Sequence, residues 1–303
     1  MRSYKRGGPI LPASLFKGNL MLQNIQTGGG PAGKPPSRAH AFAKRFVPVV
    51  TLILAALVGS ASGVGPASGY QEIQVTNGGT VSGTVRFTGT VPPAKAFEFW
   101  RAPNREFCAG HSDGSGYRLL REVWVEPGGA LKNVVVTIED VKKGKAFELK
   151  ETVLEANICL FFPFVSVVRD RHPMTVFNLD PVSHDLQVYE RDREHVFIMF
   201  HRPSLTRTGT TDRLIFTGGR REMTMQCGMH PYMQAHGVAV QNPYYAVTGL
   251  DGTFEITDLP PGTYRIRAWH PALPFHEQEV TVLPNEKTTV EFTFTNPHEI
   301  VQP

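Results

Sequence analysis

Seven residues hold the most chemically specific pattern in the chain. Cys227-Gly228-Met229-His230-Pro231-Tyr232-Met233 places a thiolate donor, an imidazole and a thioether at Cys-x2-His-x2-Met spacing. Soft sulfur beside imidazole is the donor set that suits copper, and a trigonal His2Cys site with a weak axial Met is the electron-transfer type. The stretch supplies one histidine, so a second must arrive from elsewhere in the fold. The best candidate is His184, within Val176-Phe177-Asn178-Leu179-Asp180-Pro181-Val182-Ser183-His184-Asp185.

Other residues offer weaker patterns. Cys108-Ala109-Gly110-His111 repeats the Cys-x2-His spacing and offers a second metal set with Cys159. A Cys108–Cys159 disulfide is the competing reading, and free cysteines are the third. His236 follows Met233 by three and reads as a strand-edge or solvated histidine. His270 and His276 flank Pro271–Phe275 and read as surface-loop residues, while Met223 and Met225 read as core. No His-x-His pair, Cys-x3-Cys or Cys-x-x-Cys-His occurs, nor does a Gly-rich phosphate loop, a nucleophile elbow or a zinc-protease helix. The chain therefore reads as a non-enzyme.

Composition sets the wider frame. The formal charge is +4, but eight of the 31 basic residues and none of the 27 acidic ones fall within residues 1–62. Without that segment 23 basic residues face 27 acidic ones, which leaves no electrostatic footprint for nucleic acid. Lys44 and Arg45 precede an apolar run from Phe46 to Val58, and Gly59-Ser60-Ala61-Ser62-Gly63 follows. A basic region, a short apolar core and a small-residue zone predict a cleaved export signal, with an uncleaved anchor as the alternative. The run is short of the roughly 20 residues a spanning helix needs. A periplasmic or extracellular location is the expectation, whether translation starts at Met1 or Met21.

The elements that must position the ligands read as strands. After a Gly/Ser/Pro-rich linker over 63–79, Val81, Gly83, Val85 and Phe87 alternate with polar residues. Residues 94–120 read as irregular. Short apolar runs then recur at Val123–Val125, Val134–Ile138, Ile158–Val168, Thr175–Leu179, Leu186–Tyr189, Val196–Phe200, Leu214–Phe216 and Met223–Cys227. Gly/Pro-rich turns divide them, and none shows a helical period. Even spacing of this kind predicts an all-β sandwich or barrel.

From Tyr244 the pattern changes. Thr248-Gly249-Leu250-Asp251-Gly252-Thr253-Phe254-Glu255-Ile256 and Leu259-Pro260-Pro261-Gly262-Thr263-Tyr264 resemble the carboxypeptidase regulatory-like (transthyretin-like) family over about 244–295. That resemblance implies a second, smaller β-sandwich. Ser82-Gly83-Thr84-Val85 is a candidate to complete it from the N-terminal side. The expected organisation is a leader over 1–62, a linker over 63–79, a first domain over 80–243, the regulatory-like domain over 244–296 and a tail over 297–303.

The Cys227 loop after a strand, with Asn178-x-Asp180-x3-His184 upstream, resembles the cupredoxins, the plastocyanin- and amicyanin-like small blue copper proteins. The two-domain plan resembles exported methylamine-utilisation-like proteins. The resemblance implies a Greek-key sandwich holding type 1 copper, with His184, Cys227 and His230 equatorial and Met233 axial. It also implies one-electron transfer to an envelope redox partner, with a solvent-exposed His230 edge as the exit. Asp185 departs from the family, which commonly carries Asn there to tie the ligand loops. The alternative is an envelope carbohydrate- or protein-binding module with a structural or degenerate copper domain. Its surface contact would run through the C-terminal domain, with Tyr244, Tyr245 and Trp269 as the aromatic platform.

Overall fold

Alternating burial along strands such as Thr152–Asn157, His184–Arg191, Glu222–Cys227 and Lys287–Thr295 is what builds this protein. The computed structural model describes residues 69–297, apart from 113, 150, 192–194 and 218. The expected leader, residues 63–68 of the linker and the end of the tail lie outside the described residues. The rest is all-β, with only a four-residue helix, Arg105–Cys108, and two single 3-10 turns beside it. Among the described residues no helix is long and apolar enough to cross a membrane.

Two sandwiches account for most strands. In the first, a five-stranded sheet runs in the order Val196–Leu205, His184–Arg191, Glu222–Cys227, Gln234–Ala239, Val165–Val168. It faces a four-stranded sheet ordered Thr210–Arg213, Pro173–Asn178, Thr152–Asn157, Leu160–Phe162. Leu154, Met174 and Val176 from one sheet meet Leu186, Val188, Met223 and Met225 from the other in a single buried cluster. Period-two alternation makes this possible, because every second side chain of a strand points to the same face.

The second sandwich pairs a four-stranded sheet with a three-stranded one. The larger is ordered Tyr245–Val247, Val135–Ile138, Gly262–His270, Leu273–Val282, and the smaller Thr253–Leu259, Gly79–Thr88, Lys287–Thr295. Val81, Val85 and Phe87 pack with Ile266, Val280, Phe292 and Phe294 in its core. Gly79–Thr88 lies parallel to Lys287–Thr295, so the two ends of the described chain share one sheet. Only glycine fits at position 83, where an added Cβ would come within 1.7 Å of the Val290 carbonyl oxygen. Val135–Ile138 also joins this sandwich. A boundary between 243 and 244 thus divides the chain but not the sheets.

Val135 and Trp269 from the second sandwich pack with Val165 and Val238 from the first, and this small apolar cluster joins the two. Other local expectations are corrected. The run Leu214–Phe216 is not a strand, since the strand there is Thr210–Arg213. Val125 makes only an isolated bridge to Leu131. Residues 94–120 are ordered by an antiparallel pair, Lys95–Glu98 with Tyr117–Leu120, around the short helix.

Candidate metal centre

Two antiparallel neighbours explain how residues 43 apart in sequence meet. Strand His184–Arg191 pairs with Glu222–Cys227, placing Leu186 opposite Cys227. His184, Leu186 and Val188 alternate inward on one strand, as Met223, Met225 and Cys227 do on the other. Paired strands share faces, so His184 emerges on the inner face just beyond the Cys227 thiol. The loop then turns back on itself. His230 N–H donates to the Cys227 carbonyl at 3.3 Å, Met233 N–H to the His230 carbonyl at 2.9 Å, and Cys227 N–H to the Met233 carbonyl at 3.1 Å. Gly228 lets the Asp185 and Gln187 side chains lie against the loop, since a Cβ there would come within 2.2 Å of an Asp185 carboxylate oxygen and displace it.

The structure brings three donors together. Cys227 Sγ lies 3.4 Å from His230 Nδ1 and 3.9 Å from His184 Nδ1, and the two Nδ1 atoms are 3.3 Å apart. All three residues are buried. Met233 is fully buried at the end of the loop, packed in the same core.

The far side of each imidazole is fixed. His184 Nε2–H donates to the buried Asp180 carboxylate at 2.8 Å, and His230 Nε2–H donates to the Pro103 carbonyl at 3.0 Å. A carboxylate and a carbonyl can only accept, so in the neutral rings each proton sits on Nε2. Both Nδ1 lone pairs then converge on the sulfur. Three lone pairs facing one another within a dry pocket repel unless a proton or a cation sits among them.

The charges of the metal-free site follow from these contacts. Burial alone would push the Cys227 thiol up. The contacts with His184 and His230 and the hydrogen bond from the Asp185 N–H outweigh it and bring the group down to about 6. Burial alone would push His184 down. Its bonds to Asp180 and Cys227 outweigh that and raise it to about 9. The resting pair is a thiolate beside an imidazolium.

The expected exit through His230 is not what the structure shows. His230 is 0 % exposed, and Tyr232 in the same loop is also fully buried. The segment carrying Arg105–Cys108 covers them. Pro103 caps the His230 ring, and Cys108 Sγ lies 3.8 Å from His230 Nε2. Cys108 and Cys159 form a disulfide that locks this cover onto the first sandwich. Cys159 is therefore not a ligand, although its sulfur, Asp180 and His184 lie close together. His111 ends the second 3-10 turn with its ring edge-on to Phe107.

Asp180 and Pro103 escaped the sequence reading as parts of the site. Asp180 accepts from His184 and from the Cys159 N–H at 2.9 Å, tying ligand to cover. Its position in Asn178-x-Asp180-x3-His184 was visible, but an Asp-Pro pair reads equally as a plain turn. The tie expected from an amide at 185 is made by backbone: Asp185 N–H donates to Cys227 Sγ at 3.4 Å, and Asp185 C=O accepts from Gly228 N–H at 2.8 Å. The Asp185 carboxylate turns to Gln187 and His201 instead. His236 and His270, expected at surface or edge, are both buried. Tyr244 and Trp269 are buried as well, so they form no exposed platform with Tyr245.

Residues 226–290 match the family model for polysaccharide lyase family 4, domain II, a stretch that begins at the ligand loop and runs through most of the second sandwich. No curated protein matches the chain. Among solved structures, amicyanin from Paracoccus versutus is similar at 12 % identity, over 35 % of this chain and 97 % of that one, with a TM-score of 0.24. A purple cupredoxin from Nitrosopumilus maritimus is similar at 16 % identity, over 29 % of this chain and 99 % of that one, with a TM-score of 0.24. A Cu-containing nitrite reductase from Thermus scotoductus SA-01 is similar at 21 % identity over 32 % of this chain, with a TM-score of 0.24. The chain spans 24 % of that reductase's length.

Proposed function

We propose that this chain binds one copper ion through His184 Nδ1, Cys227 Sγ and His230 Nδ1, with Met233 completing the set, and serves as a one-electron carrier. The observation that carries the reading is the convergence of two imidazole Nδ1 atoms and the cysteine sulfur in one buried pocket, each ring anchored from behind. Copper held by thiolate and imidazole supplies a one-electron couple, and these donor types suit both of its oxidation states. The chain's own part is to keep the donors still. Asp180 and the Pro103 carbonyl hold the rings, the Asp185 N–H holds the sulfur, and paired strands hold both ends.

The burial of all four residues leaves a substrate no approach, which supports a carrier over a catalyst. An oxidising, exported setting fits the Cys108–Cys159 disulfide, and the redox partner would be an envelope protein. The test is spectroscopic. Metal-free protein titrated with Cu(II) should develop an intense visible thiolate charge-transfer band at one equivalent, and Cys227→Ser should abolish it. A protein that stays colourless refutes the proposal.

The second reading, an envelope carbohydrate-binding module, draws on the match over 226–290 to a polysaccharide lyase domain. The burial of Tyr244 and Trp269 weighs against it. Retention on immobilised acidic glycans by a colourless protein would favour that reading.

A further inference from the structure

A cavity of about 470 Å3 opens where the two sandwiches meet, beside the end of strand Gly262–His270. Arg191, Arg220, Arg221 and Arg267 all line it, against a single lining carboxylate, Glu222. Three of these guanidinium groups are pinned from outside the cavity or along its wall. Arg220 pairs with Glu190, Arg221 with Glu139, and Arg267 with Glu222. Each pairing balances one charge and fixes its guanidinium group at the border of the same space, so the donors are held in place before anything enters.

Two buried donors in that wall have no acceptor. Arg267 Nε is buried and unpartnered, while its terminal nitrogen holds Glu222 at 3.1 Å. His270 is 1 % exposed, and Ala272 N–H donates to its Nδ1 at 3.2 Å. An accepting Nδ1 puts the ring proton on Nε2, and that Nε2–H is also buried without a partner. Residues three apart on a regular strand point to opposite faces, but the register shifts between Ala268 and His270 and lets both side chains line one cavity. Buried donors are almost always satisfied in folded proteins, so each of these two orphans calls for an acceptor.

We propose that this cavity is a binding site for a small oxyanion, a carboxylate or phosphate group, gripped by Arg267 Nε–H and His270 Nε2–H. Arg191 at the exposed rim draws the anion in, and Phe275, stacked beneath the Arg267 guanidinium, holds that fork in place. The site lies apart from the Cys227 pocket and involves none of the residues that would hold copper. Because it joins strands of both sandwiches, an occupant ties them together.

The experiment is a calorimetric titration of the full chain with sodium phosphate and, separately, sodium glucuronate, with sodium chloride keeping ionic strength constant. Saturable one-site binding by either anion supports the site. The anion that binds names the source, a phosphate or a sugar-acid carboxylate, and binding by both marks a general oxyanion site. Arg267→Lys keeps the charge but removes the Nε–H, and His270→Phe keeps the bulk but removes the donor. Each should weaken binding about tenfold or more. Arg191→Gln, on the surface, should also weaken binding and keeps the test decisive should a buried substitution prevent folding. No saturable binding by either anion, or variants that all bind as the parent does, would overturn the proposal.

Discussion

Replacing His236 by Phe should flatten the acid limb of this protein's stability curve. His236 is buried on strand Gln234–Ala239, its ring edge-on to Phe164 and its Nδ1 3.3 Å from the Thr224 hydroxyl. Burial, then the positive charge of Arg191, the neighbouring His270 and Lys95, push it from 6.5 down to about 3. Its folded pKa lies below its unfolded one, so the stability gained by packing a neutral ring is present above pH 6.5. It is lost as pH falls from there toward 3. At pH 5 an unfolded chain with a pKa of 6.5 takes up a proton that the folded chain refuses, which costs about 2 kcal/mol. The thiolate–imidazolium pair does not confuse this window. Between pH 8 and 5 folded Cys227 gains one proton and unfolded His184 gains one, and the two cancel. Urea unfolding of metal-free protein, followed by tryptophan fluorescence at pH 8 and pH 5, measures the difference directly. The parent should lose about 2 kcal/mol more than His236→Phe over that interval. Equal losses in the two proteins would refute the argument.

Three other outcomes are expected. Asp180→Asn, which keeps the shape but removes the charge behind His184, should lower copper affinity about 10- to 100-fold in a chelator competition. Copper binding at pH 7.5 in weak buffer should release about one proton per metal, from the His184 imidazolium; below pH 6 the Cys227 proton must also leave, so affinity should fall more steeply with acid. Replacing Cys108 and Cys159 together by Ala opens a loop of 51 residues, and chain entropy sets the cost at about 4 kcal/mol, read from urea midpoints.

The ligands were legible because their residue types are rare and their positions are dictated locally. A Cys-x2-His-x2-Met loop and a histidine at a strand start need only one antiparallel pairing to meet. The cover over His230 was not legible. Phe97 and Phe99 are too short a run to reveal a period, and the segment is held by their packing on Tyr232, by a disulfide and by one backbone carbonyl, none of which leaves a local pattern. Sheet membership was hidden for a related reason. Val134–Ile138 is apolar enough for either core, and only its partners, Tyr245–Val247 and Gly262–His270, put it in the second. His270 was misread because Pro271 follows it, whereas the strand runs on through a bulge until that proline stops it.

The parallel pairing of Gly79–Thr88 with Lys287–Thr295 constrains how the molecule is made. The earlier strand leaves the ribosome roughly 10 to 40 seconds before its neighbour, at about 5 to 20 residues per second. Until then its hydrogen-bonding edge has no mate on that side, and Gly83 offers no side chain to shield it. A nascent chain cut short before residue 287 therefore carries a sticky ribbon with nowhere to go. The finishing strand is what turns that hazard into the seam of the second sandwich.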